Sequence, residues 1–212
     1  MTLALDHLVI AARTLEEGAS WLESRLGVAP VNGGKHALMS THNRLLSLGD
    51  GRYLEVIAID PAAPAPGRAR WYALDSEAMH ARLKRGPALI HWAAVTTDIV
   101  ADAPRAPVEL GDVTELVRGD LRWRLTVPAD GSLPGGGTFP TLIQWRGRSA
   151  AMVLPDSGCR LESLDIAHPS AGPYYAALRE MGLPEREPVS FAEGPAGLAA
   201  RIRTPGGIAV LA

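Results

Sequence analysis

Cysteine is almost absent from this 212-residue chain, because Cys159 is the only one. No disulfide can therefore form within the chain, and a reducing cytoplasm is the expected location. Long apolar runs are absent too, and the first residues, MTLALDHLVI, lack the basic start and long apolar core of a signal peptide. The net charge of −2 gives no basic excess of the kind that binds nucleic acid. We expect neither a membrane nor a nucleic-acid partner.

Motifs of several common reaction types are also missing. The glycines Gly135–Gly137 are not followed by the Lys and Ser or Thr of a phosphate-binding loop. No GxSxG nucleophile turn and no HExxH zinc motif occurs. Cys159 has no partner that marks it as a nucleophile, so inert packing is its simpler interpretation. With 47% hydrophobic and 21% charged residues, the chain is an ordinary globular protein.

Glu55 is the most informative residue that is present. It lies within YLEVIAID (Tyr53–Asp60), a run whose Tyr, Val and Ile residues favour a strand covered on both faces. A carboxylate in such a strand loses its hydration, which is costly unless a partner compensates it. An arginine, a set of hydrogen-bond donors or a metal ion could be that partner.

His7 raises the same question in a second apolar run, LDHLVIA (Leu5–Ala11). In a strand it shares a face with Leu5 and Val9. A single buried histidine is more often a hydrogen-bonded core residue than a metal ligand. A histidine and a glutamate on two strands of one sheet favour a metal without requiring one.

The first 60 residues predict a βαβββ unit. A helix over Leu15–Leu26 is indicated by Thr14 and Glu17 as a capping box and by Gly27 as its stop. The four predicted strands are Ala4–Ala12, His36–Thr41, Arg44–Leu48 and Arg52–Ile59, with turns near His42 and Asn43 and at Gly49–Gly51.

The pattern then recurs along the chain. Residues 61–88 are a Pro-rich connector with a short helix over Ser76–Lys84. Residues 89–147 predict a second, partly degenerate module that starts with LIHWAAVTT, and residues 160–212 predict a third βαβββ module. A repeated supersecondary unit of this kind indicates one α+β domain built from copies of the unit.

The segments LDHLVIAARTLEEG, GGKHALMSTHN and YLEVIAID, with the HW of LIHWAAV and the HP of LDIAHPSAGPYYAAL, resemble the vicinal oxygen chelate superfamily. Within it, the chain is most similar to the glyoxalase-like domain group. The resemblance implies an α+β fold in which repeated βαβββ modules form a curved mixed β-sheet cup with helices packed outside. It also implies that the cup can hold a divalent metal ion.

In that superfamily the ligands come from the first and fourth strands of each module. The resemblance therefore implies His7, Glu55 and His91 as metal ligands, for Zn, Mn, Ni or Fe. The fourth position falls on Gln144, which can be a fourth ligand or lie behind the ligands but cannot take a proton. The general base is thus left open. Ser163 and Val210 stand at the ligand positions of the third module, which therefore lacks metal ligands.

Other polar and aromatic residues are weaker candidates. Asn43, His36 and Trp71 are predicted to contact substrate at the mouth of the cup. For Asn43 a role as a turn residue is equally consistent with the sequence. Arg122 and Arg124 alternate with Trp123 and could bind a substrate carboxylate, although a solvated strand face explains them more simply.

Three functions follow as hypotheses. The first is a metal-dependent lyase or isomerase of the glyoxalase-like kind, acting on a small oxygenated metabolite. The second is a metal-free protein of the same fold that binds a small molecule, such as a drug or metabolite. The third is an iron-dependent dioxygenase, since two histidines and one carboxylate also form its metal site. The expected partner is a small molecule, and the protein is expected to be a monomer or a homodimer.

Overall fold

The computed structural model describes residues 3–212, which form an eight-stranded sheet, a four-stranded sheet and four α-helices. The larger sheet contains β1 (Ala4–Ala11), β2 (Val31–His36), β3 (Thr41–Ser47), β4 (Tyr53–Ile59), β5 (Ala88–Val95), β6 (Asp112–Arg118), β7 (Leu121–Val127) and β8 (Thr141–Trp145). The smaller sheet contains β9 (Arg160–Ala167), β10 (Val189–Ala192), β11 (Gly197–Thr204) and β12 (Gly207–Leu211). The helices are α1 (Leu15–Leu26), α2 (Glu77–Leu83), α3 (Ile99–Asp102) and α4 (Ala171–Glu180).

The larger sheet consists of two halves with the same strand order. Its strands run β2-β3-β4-β1-β5-β8-β7-β6, so that each half reads first, fourth, third and second strand outward from the centre. β1 pairs with β4 and β5 with β8 in parallel, and the antiparallel pair β1 and β5 joins the halves. The sheet curls into a half-barrel whose concave side is the cup. The predicted α+β fold class is confirmed.

Both faces of the central strands are covered, as the apolar runs predict. Leu54 and Val56 of β4 pack on the convex side in a core that also contains Leu22 of α1. Tyr53 and Ile57 face the concave side, where a second core contains Trp71 of the connector. Since side chains alternate along a strand, Glu55 lies on the concave face with Tyr53 and Ile57.

The first helix follows from its local sequence. The Thr14 hydroxyl accepts a hydrogen bond from the backbone N–H of Glu17 at 3.1 Å, and the Glu17 carboxylate accepts one from the N–H of Arg13. Gly27 ends the helix in the left-handed region, at φ 70°. This position favours glycine because a Cβ would make the conformation costly.

The prediction for the second strand is wrong, and the third strand begins at Thr41 rather than at Arg44. The range His36–Thr41, predicted as a strand, is mostly the turn at residues 37–40, and Asn43, placed in a turn, lies inside β3. Gly33 and Gly34 precede the predicted strand but lie within β2. A Cβ on Gly33 would come within 2.1 Å of the Asn43 side chain, so glycine is needed there for a close approach rather than for a turn.

The third unit has the predicted order of elements but a different pairing. Its strands run β10-β9-β11-β12, whereas both halves of the larger sheet have the first and fourth strands adjacent. The unit packs against the convex side of the larger sheet, where Leu164 and Ile202 belong to the same core as Leu22 of α1. Within residues 3–212, no helix is long and apolar enough to cross a membrane.

Candidate functional site

The concave side of the larger sheet encloses a cavity with a volume of about 20 Å³, which is room for about one water molecule. Ten of its twelve lining residues belong to strands of both halves, and the other two, Trp71 and Tyr72, belong to the connector. The lining residues are His7, His36, Asn43, Tyr53, Glu55, Trp71, Tyr72, Arg118, Trp123, Leu125, Ile143 and Trp145.

Glu55 is a nearly fully buried carboxylate, with 5% of its surface exposed. Its Oε1 accepts a hydrogen bond from Asn43 Nδ2 at 2.6 Å, and its Oε2 lies 3.8 Å from Nε2 of His7. Among the described residues no donor lies within hydrogen-bonding distance of Oε2. One oxygen of the carboxylate is therefore held by the protein, while the other is left to act on a ligand.

Asp6 fixes the orientation of His7. Its Oδ1 lies 2.6 Å from His7 Nδ1, and its Oδ2 accepts a hydrogen bond from Trp145 Nε1 at 2.8 Å. Since an ionised carboxylate only accepts, Nδ1 of His7 carries the proton and Nε2 faces Glu55. Strand alternation would place Asp6 on the convex face. An irregularity in the pairing of β1 with β5 skips Asp6, because Leu5 opposes Ala94 and His7 opposes Ala93.

Two buried phenols line the cavity beside this pair. The ring of Tyr53 stacks on that of His7, with centroids 4.6 Å apart. Burial, reinforced by the negative charges of Asp6 and Glu55, raises the pKa of both Tyr53 and Tyr72 well above the usual value. Both hydroxyls stay protonated at physiological pH, and within residues 3–212 neither makes a hydrogen bond. They are donors for an oxygen atom of a ligand.

Asn43 links the carboxylate to a cation at the rim of the cavity. Its Oδ1 accepts hydrogen bonds from the Gly34 N–H at 2.9 Å and from Arg118 Nη1 at 3.1 Å. His36 adds no positive charge, because burial lowers its pKa to about 4, although the nearby Glu55 opposes that shift. Arg118 is therefore the one permanently charged cation among the described residues that line the cavity.

Trp71 closes the cavity from the connector. Its indole is 4% exposed and meets the ring of His36 edge-on, with centroids 5.0 Å apart. Within the described part of the chain, its buried Nε1–H has no acceptor. A buried donor without a partner costs about 1–3 kcal/mol, which a ligand oxygen could offset.

Five of the predicted site residues meet in this cavity, namely His7, Glu55, Asn43, His36 and Trp71. The two remaining ones, His91 and Gln144, do not line it. Nε2 of His91 accepts a hydrogen bond from the Thr141 backbone N–H at 3.1 Å, and its Nδ1 lies 3.0 Å from the Gly137 carbonyl oxygen. The Gln144 amide binds the backbone near the start of α3, donating to the Thr97 carbonyl.

The predicted metal ligands do not fit a three-ligand site in this arrangement. His7 and Glu55 have a spacing that two ligands of one ion can have, but His91 has no lone pair left for a metal because the backbone N–H of Thr141 occupies it. Across residues 3–212, no three His, Cys, Asp or Glu side chains converge to hold an ion. The ligand set His7, Glu55 and His91, with Zn, Mn, Ni or Fe as its metal, stays a prediction.

Three site residues were missed, while Tyr72 was considered only as one of several aromatic residues that could line a pocket beside Trp71. Tyr53 stands two residues before Glu55 in the same strand, so the alternation of the strand indicates it. The position of Asp6 in the site depends on the pairing irregularity of β1, and the position of Arg118 depends on the curl of the sheet. The sequence instead drew attention to other arginines. One of these, Arg124, binds Glu115 on the outside, and Arg122 is exposed.

Comparison with known proteins adds a family and a fold. The family described as a glyoxalase-like domain matches residues 5–182. No curated protein matches the chain. A hypothetical protein from Staphylococcus aureus is similar in structure, with a TM-score of 0.62 and 14% identity over 99% of this chain and 98% of that one.

Two methylmalonyl-CoA epimerases are more distant in structure. The enzyme from Mycobacterium tuberculosis has a TM-score of 0.44 and 21% identity over 71% of this chain and 92% of its own. A variant of the Streptomyces coelicolor enzyme has a TM-score of 0.42 and 20% identity over 68% of this chain and 98% of its own. At these identities the structural similarities bear on the fold alone.

Proposed function

The chain belongs to the glyoxalase-like domain family, and from that premise we propose that it is a lyase or isomerase that moves a proton on a small oxygenated molecule in the cup. The observation that carries the proposal is the uncommitted oxygen of Glu55, which lies 3.8 Å from Nε2 of His7 in a buried cavity. Paired acid–base groups out of bulk water are typical of proton-transfer sites.

Glu55 is the proposed base. Its Oε2 takes a proton from a carbon next to a carbonyl group, and negative charge develops on the carbonyl oxygen. The hydroxyls of Tyr53 and Tyr72 donate hydrogen bonds to that oxygen, which stabilise the charge most effectively where water is excluded. In an isomerase reaction the proton returns to a neighbouring carbon of the substrate. In a lyase reaction the substrate instead loses a leaving group from its carbon skeleton.

His7 is the proposed partner of Glu55 in this transfer. Because Asp6 accepts the hydrogen bond from Nδ1, the Nε2 lone pair faces Glu55 and can receive the proton from it. Asp6 also stabilises the imidazolium that then forms. These protein groups suffice for the proposed proton transfer.

Hydrogen–deuterium exchange tests the proposal directly. Wild-type protein in D2O should exchange the C–H protons of a matching α-hydroxy or α-oxo compound, followed by NMR over a panel of such compounds. The substitution Glu55→Gln keeps the shape and the hydrogen bond from Asn43 but removes the base. It should slow exchange by about 10²–10⁴-fold.

A matched control and a contrary result complete the test. Glu23→Gln, on the exposed face of α1, should leave exchange unchanged because its side chain contacts no part of the cavity. If Glu55→Gln exchanges as fast as wild type, Glu55 is not the base.

A second candidate is a binding protein without catalysis. It is favoured by the hydrogen bond from the Thr141 N–H to His91, which leaves that histidine unable to bind a metal. The aromatic wall of the cavity also suits an organic ligand without a metal. Ligands that raise the melting temperature without any exchange or turnover would support it. The dioxygenase hypothesis needs the same His91 as a third iron ligand and is the least supported of the three.

A further inference from the structure

We infer that the ligand of the cup carries a carboxylate group, which binds between the guanidinium of Arg118 and the indole N–H of Trp71. The inference rests on the proposed function for its site and narrows the substrate to small α-hydroxy or α-oxo acids. It depends on the balance of donors and acceptors in the cavity.

The cavity has more hydrogen-bond donors than acceptors to receive them. Trp71 Nε1 is buried without an acceptor, and the hydroxyls of Tyr53 and Tyr72 also lack partners among the described residues. On the acceptor side, the protein leaves unused one oxygen of Glu55 and the Nε2 lone pair of His7, which face each other. A ligand that satisfies this wall must bring several acceptor oxygens of its own.

Arg118 is the charged hydrogen-bond donor of the cavity. Its guanidinium donates to the neutral Asn43 amide and makes no ion pair with any carboxylate in residues 3–212. It lies 5.9 Å from the centre of the Trp123 ring, and its stem lies over Gly34, where a Cβ would come within 2.7 Å. A fixed guanidinium with unused N–H groups binds a carboxylate through two parallel hydrogen bonds.

His36 places the two proposed contacts at one end of the cavity. Its ring meets Trp71 at 5.0 Å and Trp123 at 6.2 Å, and its Nε2 lies 3.4 Å from the Asn43 amide that holds Arg118. The same amide donates to Glu55. A carboxylate on Arg118 would thus be separated from the like charge of Glu55 by the Asn43 amide.

The size of the cavity limits the rest of the ligand. With about 20 Å³ the cavity holds roughly one water molecule, so even a three-carbon acid requires the wall to move. Trp71 and Tyr72 are the lining residues outside the strands, and Tyr72 has a φ of 59°, a conformation that side-chain-bearing residues rarely adopt. A ligand of this size therefore requires the wall to shift, and the connector is the part of the wall outside the sheet.

Calorimetric titration of the full chain with matched compounds tests the inference. Glyoxylate, pyruvate and lactate should bind at least about tenfold more tightly than hydroxyacetone, a neutral compound of similar size. Arg118→Gln should weaken pyruvate binding by about thirty-fold, and Trp71→Phe, which keeps a ring but removes the N–H, by about tenfold.

Two controls separate these effects from general damage. Arg122→Gln removes the same charge from an exposed position on β7, and Trp21→Phe removes an indole N–H on α1; both should bind pyruvate as wild type does. Arg118→Lys should retain part of the affinity, because the charge remains while the paired hydrogen bonds are lost.

The outcomes distinguish this inference from the proposed function. Equal binding of pyruvate and hydroxyacetone, or unchanged binding in Arg118→Gln, would overturn the carboxylate site. Tight carboxylate binding by a protein that exchanges no C–H proton would leave the site standing and remove the proposed enzyme. Turnover of neutral compounds only would remove the carboxylate site and leave the proposed enzyme standing.

Discussion

Replacing Asn43 by alanine should destabilise the protein more than any other change of one polar side chain in the cup. The Asn43 amide makes one hydrogen bond to the buried Glu55 carboxylate, one to the Gly34 N–H and one to Arg118. The bond to the buried charge contributes about 1.5–3 kcal/mol, and the bond to Gly34 about 1 kcal/mol. Arg118 is partly exposed, so its bond contributes less.

The sum is a loss of about 3–4 kcal/mol in the free energy of unfolding, or about 10 °C in melting temperature for a chain of this size. Urea denaturation followed by circular dichroism measures it. Asn32→Ala, on the exposed face of β2, is the matched control and should cost under about 0.5 kcal/mol.

Asn43→Asp gives a further check on the reasoning. It keeps an acceptor for Gly34 and Arg118 but replaces the donor to Glu55 by a second carboxylate oxygen, so at neutral pH it should cost at least as much as alanine. A loss below about 1 kcal/mol for Asn43→Ala, or a more stable Asn43→Asp protein, would refute the hydrogen-bond network described for Glu55.

Two further predictions concern histidines. His91→Gln should leave the affinity for added Zn²⁺ within about twofold of wild type, because the Thr141 N–H already occupies Nε2; a tenfold loss would support the predicted three-ligand set instead. Acid should destabilise the fold through His36, whose folded pKa of about 4 lies below the unfolded value of 6.5. Between these values the unfolded chain binds a proton that the folded chain does not, so stability falls as pH drops. From pH 7 to pH 5 His36 should contribute a loss of about 2 kcal/mol, and His91, whose pKa burial lowers to about 3, a similar one. Urea denaturation should therefore show a loss about 2 kcal/mol smaller in His36→Gln than in wild type, and an equal loss in both proteins would count against His36.

The strands and the first helix followed from local patterns. Apolar runs around His7 and Glu55 predicted covered strands, and the Thr14 and Gly27 signals predicted both ends of α1, because caps and periodicity act over a few residues. The same locality explains the error at β2 and β3. Gly33 and Gly34 lie within β2, where they make room for side chains from β3 and β6.

The sequence by itself determined that a carboxylate and a histidine would lie in apolar strands covered on both faces, because their neighbours are apolar and strand-forming; the curvature of the sheet was implied only by the family resemblance. Only the tertiary structure decided which groups meet them. Arg118 reaches Asn43 because the sheet curls, Asp6 turns to His7 because β1 skips one residue in its pairing, and His91 is engaged because Gly137 and Thr141 pack beside it. Contacts between residues far apart in the chain depend on how the strands pack together, and no short stretch of sequence encodes them.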